Sequence, residues 1–291
     1  MGRGSRINYS GEHQKELAGI LRQVGHRHGL FQVWRDFVAM CAIAMSNVAD
    51  KANAEQREAE YMSIVGRYEK DEARLLAQGF PLIAEALEAE THDFLGSLYM
   101  SLELGNQWAG QFFTPFPVCV LMSKMQMTDA KRLIDANGFI RVSDPCVGGG
   151  AMILAAAEAL KDEGINYQRH MHAVAQDIDI TAVHMAYVQL SLMHIPAVVI
   201  HGNTLAMESR SQWRTLAHTM GGWDWKLARV ERAQAQAQAD QQEQGELKAP
   251  TAEQPDRMEV FAVSAEVQRI AQAAATRKPR RNTEAPQFTL F

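Results

Sequence analysis

Three consecutive glycines, Gly148-Gly149-Gly150, follow Asp144-Pro145 at the end of a β-branched run, and an alanine-rich stretch begins directly after them. Lacking Cβ atoms, such a loop lets main chain approach a ligand closely. The helix that follows presents N–H groups with no partner inside the helix. At the end of the next apolar run stand Asp177 and Asp179. A carboxylate in that place accepts hydrogen bonds from both hydroxyls of a ribose. Either Asp177 or Asp179 could fill that place, unless Asp179 only caps the helix after it. A third run closes on Gly202-Asn203-Thr204-Leu205. Strand, glycine loop, helix, strand, acid, helix, strand builds a parallel sheet whose carboxyl edge suits an adenosine-type ligand.

Other chemistries are disfavoured. Cys41, Cys119 and Cys146 are odd in number and widely spaced, so they imply no disulfide framework. His26-Arg27-His28 and His170-Met171-His172 lack a Cys or carboxylate at ligand spacing, and no metal site is expected. The net charge of −5 and pI near 6.1 exclude a surface coated in positive charge, though not a local basic strip. Phe37 to Met45 is the most apolar run and falls far short of the roughly 20 residues of a membrane span. With no secretory signal at the N-terminus, the chain reads as cytoplasmic.

The elements that must position these residues follow from periodicity. Ile140–Ser143, Ala173–Gln176 and Ala197–His201 read as strands, with helices over Ala151–Lys161 and Thr181–His194. Upstream, His13 to Gly105 is helical in pattern, with Leu17, Ile20, Leu21 and Val24 on one stripe and Val33, Phe37, Val38, Met40 and Cys41 on another. A charged helix is expected over Ala54–Glu72, and Pro81 is expected at a boundary or in a first turn within Leu75–Glu90. Lys15, Arg22, His26, Arg27 and His28 form a basic cluster, read as a solvated face. Beyond Leu205 at most one more strand fits, and Trp223-Asp224-Trp225 reads as a packing element. From Arg229 the composition turns to Ala and Gln, expected to be a linker with helical patches and one amphipathic helix over residues 260–274. The organisation is therefore residues 1–12 as a loose N-terminus, 13–106 as a helical domain, 107–228 as a partial Rossmann-like domain, 229–286 as a linker and 287–291 as a peptide motif.

The sequence resembles the adenine-N6 DNA methyltransferases, closest to the modification subunits of type I restriction systems. Gln111-Phe112-Phe113-Thr114-Pro115 resembles the family's loop over the methionine end of S-adenosyl-L-methionine. Asp144-Pro145-Cys146-Val147-Gly148-Gly149-Gly150 resembles its glycine motif, with Gly149 where Ser or Thr is usual. Gln176-Asp177-Ile178 matches its ribose-binding acid, and Gly202-Asn203-Thr204-Leu205 matches Gly-Asp-Thr-Leu, with Asn203 replacing the acid that meets the adenine amino group. An amide oxygen can still accept that hydrogen bond. The resemblance implies an α/β fold, S-adenosyl-L-methionine as cofactor and double-stranded DNA as partner. Its bound residues would be Gln111 to Pro115, Asp144, Pro145, Gly148, Gly150, Asp177, Ile178, Asn203, Thr204 and Leu205.

One part of the family pattern is missing. The family's Asn/Asp/Ser-Pro-Pro-Tyr/Phe segment, which receives a base flipped from the duplex, occurs nowhere in the chain. Catalytic residues therefore stay unassigned, and three readings remain. One is an active enzyme, completed by a partner subunit or using an unconventional acceptor site. Another is an inactive methyltransferase-like module of a phage or plasmid, interfering with host restriction-modification. A nicotinamide oxidoreductase is disfavoured by the glycine-loop form. The C-terminal Gln287-Phe288-Thr289-Leu290-Phe291 resembles the pentapeptide that docks on the bacterial sliding clamp, with Gln287, Leu290 and Phe291 as anchors.

Overall fold

The computed structural model describes residues 11–104 and 113–247. Five helices come first: α1 (Glu12–His28), α2 (Leu30–Ala49), α3 (Ala54–Val65), α4 (Lys70–Ala89) and α5 (Phe94–Ser101). Then α6 (Phe116–Gln126) and α7 (Ala130–Asn137) lead to β1 (Ile140–Asp144). α8 (Ala151–Asp162) and the one-turn α9 (Tyr167–His170) reach β2 (Met171–Asp177), and α10 (Ile180–Leu192) reaches β3 (Ala197–His201). β4 (Ser211–Arg214), α11 (Leu216–Met220) and α12 (Trp223–Leu247) close the described part.

The sheet runs β1-β2-β3-β4, with the first three strands parallel and β4 antiparallel to β3. Register places Val142, Ala173 and Ala197 on one row and Ala175, Val199 and Trp213 on the next. The small side chains of β2 let α8 and α10 lie close on that face, where Ala173, Ala175 and Val199 are fully buried. The three expected strands stand where the β-branched runs placed them, each within two residues.

The helices do not keep a core of their own. One hydrophobic cluster runs from Leu17, Trp34 and Phe37 through Leu95 to Leu154, Tyr187 and Val199. α2 packs on α10, and the buried Arg57 of α3 crosses to the sheet. Its guanidinium donates to Asp50 Oδ2 at 2.9 Å and to the Gln212 carbonyl at 2.8 Å, and lies 4.1 Å from the Trp213 ring. Residues up to Ala233 therefore form one compact unit, and the expected division at 106/107 is not a division between cores. Each large side chain shared across it contributes roughly 1.5–3 kcal/mol.

Three local expectations are corrected. The charged helix expected over Ala54–Glu72 ends at Val65, and α4 restarts at Lys70 with a capping box between Glu69 and Glu72. Pro81 sits inside α4 rather than at a boundary. The Ala/Gln stretch expected to be linker from Arg229 continues α12 to Leu247. Alanine and glutamine are good helix formers once a tethered end supplies the nucleus. Here that end is Trp223, 1% exposed, packed edge-on to Phe139 at 5.0 Å. Residues 1–10, the start of the motif at Gln111-Phe112, the amphipathic stretch 260–274 and the peptide 287–291 lie outside the described residues. Among the described residues, no helix is long and apolar enough to cross a membrane.

Candidate functional site

The carboxyl ends of β1, β2 and β3 bring the glycine loop, Asp177 and the Asn203 turn together. Asp177 is the junction. Its Oδ2 accepts from the Gly148 N–H at 2.9 Å, and its Oδ1 accepts from the Asp179 N–H at 2.9 Å. A carboxylate has about four acceptor positions, so two main-chain donors leave capacity for ligand hydroxyls. Asp179 accepts from the Thr181 N–H at 2.9 Å and is the N-cap of α10. The alternative acid therefore caps the helix, and Asp177 is the one of the two that meets the glycine loop.

The glycines are required by what surrounds them. Gly148 has φ +54°, and a Cβ there would lie 2.9 Å from the Phe113 ring. Phe113, the first described residue of the expected cofactor loop, thus covers the glycine loop. It stacks on Tyr99 of α5, with ring centroids 5.7 Å apart. A Cβ on Gly149 would meet Asp93 Oδ1 at 3.0 Å and the Gly96 Cα at 3.1 Å. That close approach of α5 explains a glycine where the family usually has a hydroxyl. Gly150, at φ +102°, opens α8.

Thr204 Oγ1 donates to the Pro145 carbonyl at 2.8 Å and ties the third-strand loop to the glycine loop. Asn203 behaves differently from expectation. Its Oδ1 accepts from the Leu205 N–H at 3.0 Å and the Ala206 N–H at 3.2 Å, so the oxygen expected to meet an adenine amino group already holds the turn. Gly202 beside it admits no side chain, because a Cβ would lie 2.0 Å from the Glu208 carbonyl oxygen. Ile178 is 58% exposed and Leu205 98% exposed, two apolar side chains left uncovered at the same edge. Burial pushes the Asp144 carboxyl above its ordinary range, opposed by the Cys146 N–H and reinforced by Asp177.

A buried network behind the loop was not legible in the sequence. Gln189 of α10 donates to the Gly149 carbonyl at 2.7 Å and to Asp93 Oδ1 at 2.8 Å, and accepts from the Leu95 N–H at 3.0 Å. Asp93 also accepts from the Gly96 N–H at 2.9 Å, as the N-cap of α5. Burial raises its pKa, opposed by Gln189 and Gly96. Asp93 and Gln189 are 96 positions apart, and only the helix packing joins them.

Two other groups carry less. Trp223-Asp224-Trp225 splits as expected of a packing element: Trp223 is buried, Trp225 is 65% exposed, and Asp224 lies 3.1 Å from His218 Nε2. A cleft of 1090 Å³ lies among Met45, Leu87, Tyr167, Tyr187 and Met193, beside the loops that precede β2 and β3. It is at the opposite end of the strands from the glycine loop, so we take the carboxyl edge as the site on chemistry rather than size. Among the described residues, no group of His, Cys, Asp or Glu could hold a metal ion.

Parallel strands, a glycine loop opening a helix and an acid on the second strand define a Rossmann-like methyltransferase fold. The family model described as N-6 DNA Methylase matches residues 92–250, more than half of the sequence, and the chain belongs to that family. The matched region takes in α5, in keeping with its contact with Gly149. No curated protein matches. Two solved structures are similar at low identity. One is a Listeria monocytogenes protein described as a class I S-adenosylmethionine-dependent methyltransferase, at 15% identity and TM-score 0.35, covering 65% of this chain and 53% of that one. The other is the type I restriction-modification methyltransferase subunit of Streptococcus thermophilus, at 17% identity and TM-score 0.35, covering 68% of this chain and 59% of that one. This chain thus spans little more than half the length of either.

Proposed function

We propose that this chain is the cofactor-binding part of an S-adenosyl-L-methionine-dependent adenine-N6 DNA methyltransferase acting on double-stranded DNA. The observation that carries the reading is Asp177, held by Gly148 and Asp179 N–H groups at the end of β2 with acceptor capacity left over. The residues fit the group. Asp177 would take the ribose hydroxyls, Ile178 and Leu205 would flank the adenine, and Phe113-Thr114-Pro115 would border the methionine end. When bound, the cofactor supplies an electrophilic methyl on sulfur. The chain's own residues bind and orient it, and the glycine loop with α8 lines its approach. No residue of the chain is assigned to the acceptor base, because the Pro-Pro-aromatic segment is absent from the sequence.

Calorimetric titration of the purified chain with S-adenosyl-L-methionine tests this. Micromolar binding, about −8 kcal/mol, is expected. Asp177→Ala should weaken it by roughly a hundredfold, through the loss of charge-assisted hydrogen bonds. Absence of binding would overturn the reading, and an unchanged affinity in the variant would move the ribose to Asp179.

A second reading rests on Gln287-Phe288-Thr289-Leu290-Phe291. Two apolar anchors and a register-setting glutamine match a sliding-clamp ligand. It would bring an inactive module, of phage or plasmid origin, to replicating DNA. Deleting residues 287–291 should abolish retention on immobilised clamp, and unchanged retention would remove this reading.

A further inference from the structure

Four helices finish around the cleft at the amino ends of the strands. The last turns of α2, α4, α8 and α10 give Val48, Glu88, Lys161 and Leu192 to its wall. At 1090 Å³ it is as large as the roomiest ligand sites, which run to about 1,000 Å³. Met45, Leu87 and Met193 make much of the lining apolar, and Val48 leaves 62% of its surface uncovered there. The Tyr167 hydroxyl donates to the Met193 carbonyl at 3.0 Å, which fixes a half-buried aromatic ring in the wall. Ser191, 5% exposed, also lines the cleft. Its Oγ meets no hydrogen-bond partner of good geometry among the described residues, although the Tyr187 hydroxyl is near.

The charge of this wall is one-sided. A helix C-terminus carries about half a negative charge and is stabilised by basic side chains in its last turn. α2, α4 and α10 have none. α4 has the reverse, with Glu88 in its last turn and Glu90 as its C-cap. Both carboxylates line the cleft, and neither makes an ion pair among the described residues. The basic groups of the lining are His194 and Lys161, and Lys161 is already paired with Glu158 at 3.4 Å. The result is an apolar cavity with surplus negative charge on its wall.

We infer that this cleft binds a small organic cation, an ammonium or guanidinium group on an aromatic or branched aliphatic body. Glu88, Glu90 and the three uncompensated helix ends attract the charged head, and the Tyr167 ring adds cation–π attraction. The body covers Met45, Val48 and Met193, and the Ser191 hydroxyl offers a further polar contact. The wall is drawn from α2, α4, α8, α9, α10 and α11 around one concavity. That shape suits a compact molecule better than an extended peptide. The inference does not depend on the methyltransferase reading. Thr91 lines the cleft two residues before Asp93, and Ser191 two residues after Gln189. The occupant thus adjoins the two segments whose side chains meet at Gly149.

The test uses the full chain with methyl-labelled methionine. It is titrated with 1-naphthylmethylammonium and, at similar size, with the neutral 1-naphthalenemethanol and the anion 1-naphthoate. The expected result is saturable shifts of the Met45 and Met193 methyls, with Met62 of α3, 59% exposed, unmoved. A dissociation constant of about 0.1–1 mM is expected for so small a cation. The neutral and anionic probes should bind about tenfold more weakly or worse. Glu88→Gln combined with Glu90→Gln, both at exposed positions, should bring the ammonium probe down to the affinity of the alcohol and leave the alcohol unchanged. No saturable shift, shifts spread over exposed methionines, or equal affinity for the three probes would each overturn the inference. An unaltered ammonium affinity in the double variant would do the same. Shifts of these methyls on deleting residues 248–291, or on raising the protein concentration, would give the cleft to the chain's own end or to a second copy, and would overturn it too.

Discussion

Gln189 Nε2 lies 2.7 Å from the Gly149 carbonyl oxygen, and through that bond the buried side of α10 fixes the loop expected to face the cofactor. The same amide nitrogen donates to Asp93, so α5, α10 and the glycine loop share one buried polar junction.

Gln189→Leu should therefore destabilise the protein by about 3 kcal/mol, since it strands the Gly149 carbonyl and the Leu95 N–H and leaves the buried Asp93 carboxyl with one donor fewer. Urea unfolding measures this. At temperatures where the variant stays folded, cofactor affinity should fall about tenfold as the loop loosens. A loss of stability with unchanged affinity would show that the network supports the fold and not the loop.

Two glycine substitutions should separate fold from site. Gly202→Ala drives a methyl into the Glu208 carbonyl and should cost more than about 2 kcal/mol of stability. Gly148→Ala meets a movable aromatic side chain, Phe113, at a left-handed backbone position. Its stability loss should be nearer 1 kcal/mol, with the larger effect on cofactor affinity. Thermal unfolding and calorimetry on the same samples give both readouts.

Asn203→Asp should keep the turn, because a carboxylate accepts from the Leu205 and Ala206 N–H groups as well as the amide does. It adds an acceptor position for an adenine amino group. Affinity for S-adenosyl-L-methionine should rise several-fold at neutral pH. A fall would mean that the Asn203 amide donates to the ligand instead.

Acid should destabilise the fold through His184. Burial, with His201, Arg57 and Arg35 nearby, lowers its pKa from 6.5 to about 3. The unfolded chain therefore binds the proton first. The stabilising contribution is complete above pH 6.5 and is lost as pH falls towards 3, about 3 kcal/mol of it by roughly pH 4.5. His184→Leu removes that titration, and also a ring nitrogen, Nε2, that is buried with no hydrogen-bond partner among the described residues. The variant should match or exceed the parent in stability at pH 7 and show a flatter acid limb in unfolding measured from pH 7 to 4.5.

Much of the carboxyl edge of the sheet was legible in the sequence because its signals are local. Glycines, a strand-ending acid and β-branched runs act through the conformation of a few neighbouring residues, so β1, β2, β3 and the loop at Gly148 fall where those residues stand. Pro81 inside α4 and the extension of α12 to Leu247 were misread for the opposite reason. Packing of α4 on α1 and anchoring of Trp223 outweigh local preference there.

By itself the sequence determined the family, the succession of three strands along the chain, the position of Asp177 after the second of them and the lack of an adjacent proline pair, since each is written in residue types at short spacing. Only the tertiary structure decided that Asp179 is a cap, that Asn203 spends its oxygen on its own turn, and that Asp93 and Gln189 hold Gly149. It alone, among the described residues, left β1 on the outside of the sheet. Those outcomes depend on contacts between segments far apart in the chain, and no periodicity in a single stretch records which distant helix will close over which loop.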